Sequence, residues 1–407
     1  MFLKVRWIKV LREMWDNKAR TLLVVLSIAV GVFSIGTITT SWIVLLNDLI
    51  TAYQATNPAS ATLTVSPFDD ALIQAVRGNR EIAQAEGRRI VAAKGELPDG
   101  TAVNLSLTAV DDFTSIEISQ MTPEAGAWPP RRRELLLERS YAKDLGLEPG
   151  ATLTVEMPSG STYDLVVAGT VHDLPVVAAG NSEIVPAYIT MDTLQWLGET
   201  RQFNALYITV AQDATDKAHI QNVVTSIREQ IIEKSGFTVL NAVVPTPGEP
   251  FITIIIRALL LVLGIVGVFS LVLSAALVIN TVSAVITRQV RQIGVMKAIG
   301  GVQANIAEIY LSAVVIYGLL SLLVAVPLAA LGANAFTNFF AEFSNFDIMS
   351  RGVPWIVLLI EIIIALLVPI LAATIPVNTA MRLTVREAIA DSGLSASDTQ
   401  SFVDKLA

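Results

Sequence analysis

RQVRQIGVMKAIGG, residues 288–301, is a short basic stretch held between two long apolar runs, residues 258–286 and 309–336. It is too polar to cross a bilayer and too short to fold as a domain, so the flanking runs are read as membrane spans joined by a basic turn. Working outward, residues 21–47 and 354–380 also exceed the ~20 apolar residues needed to cross about 30 Å of hydrocarbon. The first three runs carry no charged residue, and the fourth carries one, Glu361. Across 407 residues, 53% are hydrophobic and only 16% charged, and the mean hydropathy of +0.59 is high for a soluble chain. The expected fold class is an α-helical membrane protein with four transmembrane helices.

The same composition excludes several chemistries. There is no cysteine, which removes disulfides, thiolate metal sites and cysteine catalysis. The two histidines, His172 and His219, cannot build a His-rich metal site, and no catalytic residue or metal site is expected.

Orientation follows from the basic flanks. Residues 1–20 carry Lys4, Arg6, Lys9, Arg12, Lys18 and Arg20 against Glu13 and Asp16, and residues 287–308 carry Arg288, Arg291 and Lys297 against Glu308. The positive-inside rule places both on the cytoplasmic face of the cell membrane. Residues 48–257 instead hold 26 acidic and 15 basic residues, and a segment that long is exported largely regardless of charge. Both termini, including a tail at 381–407, are then cytoplasmic, and 337–353 is a short external loop. The apolar run after residue 20 is longer than the roughly 7–15 residues of a signal-peptide core, so it is expected to remain as an anchor. Before it, Leu3, Trp7, Val10, Leu11 and Met14 recur at spacings of three and four. That suits an amphipathic helix in the inner interface; the other reading is a basic leader that only sets topology.

The exported region is mixed α/β, inserted between the first and second spans. Residues 61–65 alternate as a strand, 70–77 form a short helix and 90–94 a second strand. A matching unit closes the region, with a strand at 205–210, an amphipathic helix at 215–234 and a strand at 237–244. Between them, 151–157 and 162–171 flank Pro158-Ser159-Gly160-Ser161, a hairpin turn. The expected topology is an α/β subdomain assembled from both ends, with a β-rich insertion at about residues 100–204. The proline-rich residues 245–250 then break the chain before the second span. The first two spans are expected to protrude as helical stalks.

Three stretches carry a family resemblance. They are NKARTLLVVLSIAVGV at 17–32, RQVRQIGVMKAIGGVQANI at 288–306 and PVNTAMRLTVREAIAD at 376–391. With the order of elements, they resemble permease subunits of ATP-binding-cassette (ABC) systems of the MacB/FtsX type. The resemblance implies a MacB-like exported domain on an FtsX-like four-span membrane domain. It also implies two such units side by side, each docked on a cytoplasmic ABC ATPase, with ATP-driven closure passed through the spans as mechanical motion. The chain lacks a GxxxxGK[ST] phosphate loop, so ATP and Mg are expected on the partner ATPase and no cofactor on this chain.

In the coupling segment, 287–308, the expected ATPase contacts are Arg291, Ile293, Gly294, Val295, Met296, Lys297, Ile299 and Gly300. The apolar members, with Val290, offer a surface, Arg291 and Lys297 supply charge, and Gly300-Gly301 end the helix. The plainer reading is a polar turn whose basic residues only set topology. Small residues in the spans, Ser27 and Gly31 in the first and Gly267, Ser270 and Ser274 in the second, are expected to allow close helix packing, either in a homodimer or within one subunit. Glu361 is a possible intramembrane polar site, and a water-exposed or hydrogen-bonded structural carboxylate is the plainer reading. His172-Asp173 is read as a loop and Arg131-Arg132-Arg133 as a solvated basic turn.

Expected partners are the ATPase, a second permease copy or homologous half, a membrane-fusion or other extracytoplasmic accessory protein, and the lipid bilayer, but no nucleic acid. Within this class the work is export or extraction of a drug, peptide, lipid or lipoprotein. The alternatives are an FtsX-like regulator activating a cell-wall hydrolase, and a membrane-anchored sensor. A sensor calls for a cytoplasmic output domain and an anchored hydrolase for a polar catalytic cluster, and the sequence offers neither.

Overall fold

The computed structural model describes residues 14, 15, 17–350, 352–382 and 384. The expected helix over residues 1–20 lies largely outside these; Met14 and Trp15 are helical. Two compact units emerge, each described in turn. One holds residues 44–256 with 337–350, and the other holds residues up to 43, 257–336 and those from 351 onward.

Among the described residues, four helices are long and apolar enough to cross a membrane: α1 (Lys18–Ala55), α6 (Ile252–Ala298), α7 (Gln303–Phe343) and α8 (Trp355–Arg382). Their lengths of 38, 47, 41 and 28 residues correspond to about 57, 70, 61 and 42 Å at ~1.5 Å per residue. The first three therefore outrun a bilayer, including α7, whose excess length was not expected. In the membrane unit, Val24, Ile28 and Val32 of α1 pack with Val278, Val282 and Ile286 of α6, Tyr310 and Val314 of α7, and Ala365, Ala373 and Val377 of α8. On α6, Leu261, Ile265, Phe269 and Leu273 remain exposed, as lipid-facing side chains should.

The other unit is built on ten strands. They are β1 (Ala61–Phe68), β2 (Ile82–Glu96), β3 (Ala102–Val110), β4 (Thr122–Gly126), β5 (Glu134–Glu138), β6 (Thr152–Glu156), β7 (Thr162–His172), β8 (Ile184–Thr190), β9 (Phe203–Val210) and β10 (Val239–Val243). Helices α2 (Asp70–Arg77), α3 (Arg139–Asp144), α4 (Met191–Trp196) and α5 (Lys217–Ile227) complete it, with a π-turn at Arg228–Ile232 extending α5.

Strand order at one end is β10-β1-β9-β2, with β1 antiparallel to both β9 and β10. Each β-α-β unit anticipated from sequence is thus split, with a strand of the other unit inserted between its own two. The pattern explains α2: Asp69 caps its first turn by accepting from Ala71 N, and Leu72, Ile73 and Val76 form its buried face. In α5 the buried face is Ile220, Val223, Val224 and Ile227. The expected hairpin is β6–β7, in register from Thr152 opposite Val166 to Glu156 opposite Thr162.

The two sheet regions are not separate bodies. Strand β2 is 15 residues long: residues 82–88 pair with β9, and residues 89–96 pair with β3. The expected loop at 337–353 is also revised. Helix α7 continues to Phe343, because its last turns and the residues after them bury Phe340, Ala341 and Phe346.

Candidate functional site

The basic turn joins α6 to α7 through a glycine cap. Gly300 has φ +90°, Gly301 N bonds Met296 O at 2.8 Å and Gly300 N bonds Lys297 O at 3.1 Å. This pair of bonds satisfies the last carbonyls of α6 and reverses the chain in four residues. The proposed contact residues divide by face. Ile293 and Gly294 are buried, whereas Arg291, Val295, Ile299 and Gly300 are exposed and Met296 is half-buried. Ile299 is 81% exposed and Val295 50%, unusual values for such side chains beside a packed core. Lys297 is turned inward: its Nζ donates to Met381 O at 2.9 Å, a cation on the C-terminal carbonyls of α8. The surface available to a partner is therefore Arg291, Val295 and Ile299, and Ile293 and Lys297 serve the fold.

The small residues of the spans face one another within one chain. A Cβ on Gly31 would lie 2.8 Å from Leu271 Cδ2 and 3.6 Å from Ser274 Cβ. One on Gly267 would lie 3.1 Å from the Cδ1 atoms of Ile35 and Ile38. Within one chain, Gly31 and Ser274 lie against each other and Gly267 lies against Ile35 and Ile38, so these small residues let the first two spans approach closely. Ser27 and Ser270 are half-buried.

Glu361 is 1% exposed, and neither carboxylate oxygen has a hydrogen-bond partner among the described residues. Gly36 of α1 makes its space, since a Cβ there would fall 1.8 Å from Glu361 Oε1 and 3.0 Å from Ala329 Cβ. One turn further along α1, the Thr40 and Ser41 hydroxyls are likewise buried without partners.

A site that sequence reasoning missed lies where residues 344–350 meet the sheet domain. Asn345, at φ +53°, donates from Nδ2 to Glu138 Oε1 at 2.6 Å and accepts from Arg139 Nε at 2.9 Å. Arg139 also bonds Glu124 at 2.6 Å and Asp347 at 2.9 Å. Glu138 is fully buried at the end of β5 and caps α3 by accepting from Ser140 N at 2.8 Å. Nearby, Asp48 accepts from Met349 N at 2.9 Å and Ser350 N at 2.7 Å, and from the Ser350 hydroxyl. Asn181 Nδ2 donates to Phe343 O at 3.1 Å. The segment after α7 is thereby clasped on several sides.

The clasp has its own electrostatics. Burial pushes the Glu138 carboxyl up, but the nearby His172 imidazole and the hydrogen bonds from Ser140 and Asn345 outweigh it and leave the group below its ordinary value. Burial raises the Asp173 carboxyl, opposed by the hydrogen bond from the Tyr188 hydroxyl. Of the His172-Asp173 pair, expected as a loop, His172 ends β7 with its Nδ1 3.8 Å from Glu138, Asp173 follows the strand, and both are half-buried. In the triple-arginine turn, Arg131 and Arg132 are exposed, and the Arg133 guanidinium lies 4.7 Å above the Trp196 ring. Among the described residues no cluster of three or more metal-ligating side chains occurs.

Residues 264–385 match the FtsX-like permease C-terminal family. No curated protein matches the sequence. Among solved structures, the extracellular domain of the noncanonic ABC-type transporter YknZ from Gram-positive bacteria is similar at 10% identity and a TM-score of 0.31, over 44% of this chain and 100% of that one. The periplasmic region of MacB from Actinobacillus actinomycetemcomitans is similar at 11% identity and a TM-score of 0.30, over 47% of this chain and 93% of that one. A domain of a putative permease protein from Porphyromonas gingivalis gives 12% identity and a TM-score of 0.29, over 49% and 96%.

Proposed function

We propose that this chain, a multi-pass ABC permease of the MacB/FtsX type whose residues 264–385 match the FtsX-like C-terminal domain, is the non-hydrolysing membrane subunit of a mechanical transport system. A separate cytoplasmic ATPase binds ATP and Mg and docks on the basic turn at Arg291, Val295 and Ile299. Nucleotide-driven movement of that turn is conveyed along the spans to an extracytoplasmic α/β domain inserted between the first and second spans. The work done there is export or extraction of a drug, peptide, lipid or lipoprotein. Both termini are cytoplasmic, and a second copy or homologous half completes the membrane assembly.

The observation that carries this reading is the unbroken helix α6. It runs 47 residues from just after the proline-rich 245–250 segment to the Gly300 turn, about 70 Å at ~1.5 Å per residue against about 30 Å of hydrocarbon. A rod of that length, without proline, transmits displacement where a flexible tether would absorb it. The test is copurification of the ATPase with the full chain. Val295→Asp with Ile299→Asp should abolish it while leaving the permease folded, and undiminished copurification would remove the docking assignment.

A further inference from the structure

At the end of the membrane bundle that carries the basic turn, the start of α1, the later part of α6 and the start of α7 enclose a cavity of about 130 Å³. Its polar wall includes Arg20, Arg288 and Gln289, and its apolar wall includes Val285, Ile309 and Ala313. The Tyr310 hydroxyl, also at the cavity, donates to Gln289 Oε1 at 2.9 Å, which fixes that amide. Neither arginine takes part in an ion pair among the described residues. Two guanidinium groups from different helices therefore flank one small space and form no ion pair with a carboxylate among the described residues.

The position of this space is fixed by its neighbours. Leu22 and Leu23, immediately after Arg20, are 57% and 63% exposed, so hydrocarbon-facing surface begins within one turn of the cavity. Trp15, next in the chain to the lining residue Met14, is exposed, with the Lys18 ammonium 4.4 Å from its ring. Tyr310 and Tyr317 also line the cavity, and Trp and Tyr are the side chains enriched at the headgroup level of a membrane. A volume of 130 Å³ equals roughly four waters at ~30 Å³ each. That admits a phosphate group but is well below the ~300 Å³ where small-molecule sites begin.

We propose that this cavity seats the phosphodiester of an anionic glycerophospholipid, held by Arg20 and Arg288, with its acyl chains running along the apolar wall of α6 and α7. Guanidinium suits this task because its planar fork gives paired, charge-assisted bonds to phosphate oxygens. Basic pockets between helices at a membrane surface are the usual seats of such headgroups. The lipid ties the start of α1 to the α6–α7 pair. Nothing in this binding depends on an ATPase, so its failure would leave the coupling reading untouched.

The test uses the purified full chain in a neutral detergent, probed separately with phosphatidylglycerol, phosphatidylcholine and inorganic phosphate. Retained lipid is counted by native mass spectrometry and the melting temperature is followed in parallel. Phosphatidylglycerol should be retained and should raise the melting temperature, and the other two probes should do neither. Arg20→Gln with Arg288→Gln should weaken phosphatidylglycerol retention about tenfold, the scale of one lost charge-assisted contact or more. Arg20→Lys with Arg288→Lys should keep most of it. Should the double glutamine variant fail to fold, Arg288→Gln alone is measured, with a smaller loss expected. Unchanged retention in the glutamine variants, equal retention of phosphatidylcholine, or an equal stabilisation by inorganic phosphate would each overturn the proposal.

Discussion

Asn345 and Glu138, 207 positions apart in sequence, are joined by a 2.6 Å hydrogen bond from the Asn345 amide to a carboxylate with no solvent exposure. Asn345 follows α7 in the chain, and Glu138 ends a strand of the sheet domain. A bond to a buried charge is worth more than one between neutral groups, and an unmade one leaves the charge desolvated without recompense. Asn345→Ala should therefore lower the stability of the full chain by about 1.5–3 kcal/mol in denaturant unfolding. A loss below a few tenths would mean that the clasp carries no energy.

The same carboxylate sets an acid limit. Because the folded value of Glu138 lies below its unfolded one, its contribution is present above the ordinary carboxylate range and is lost as pH falls through the folded value. Asp173, whose folded value is raised, acts oppositely: its contribution is complete at low pH and is lost as pH rises through that value. Melting temperatures taken from about pH 6 down to about pH 3 should show an acid-side loss that Glu138→Gln makes shallower. An unaltered profile in that variant would contradict the assignment.

Asp48 supplies a second hold, on the amides of Met349 and Ser350. Asp48→Ala removes the acceptor for both, and hydrogen exchange at 349–350 should accelerate about tenfold or more, reflecting at least ~1.4 kcal/mol of lost protection. Exchange unchanged at those two amides would show that another acceptor serves them.

Gly36 and Glu361 form a matched pair within the bundle. Gly36→Ala places a methyl group where the carboxylate now sits, and should cost about 1–3 kcal/mol, the usual range for overpacking. Glu361→Ala clears that space, so the double variant should be more stable than the sum of the two single changes. Strict additivity in thermal unfolding would mean that the two side chains do not meet.

The Gly31–Ser274 approach predicts a covalent link. A Cβ on Gly31 would lie 3.6 Å from Ser274 Cβ, within the ~3.5–4.5 Å spacing of a disulfide. The chain has no cysteine of its own to interfere. Gly31→Cys with Ser274→Cys should oxidise within a single chain; a covalent dimer as the main product would show that these positions pack between subunits instead.

What the sequence discloses depends on range. The helix Asp70–Arg77 has its cap, its buried face and its limits within nine residues, and each is legible locally. The Gly300-Gly301 stop is equally local, because only the αL position needs glycine. The clasp leaves no such mark: Asp48, Glu138, Arg139 and Asn345 are single polar residues in unremarkable contexts, and only the tertiary structure brings them together. The face of the coupling segment was half legible. The apolar side chains of the basic segment single out Val290, Ile293, Val295, Met296 and Ile299, but packing alone turns Ile293 inward and leaves Val295 and Ile299 exposed. Ile293→Asp should consequently unfold the membrane unit, at a cost of several kcal/mol for a buried charge, where Val295→Asp with Ile299→Asp should not.

The most direct test of mechanical coupling is hydrogen exchange at residues 344–350 in the reconstituted permease–ATPase complex, with and without ATP. Exchange there should change on ATP binding in the unaltered protein and stay constant when Val295→Asp and Ile299→Asp are present. Identical exchange in both nucleotide states, or an ATP response that survives the two substitutions, would contradict transmission from the basic turn to the clasp.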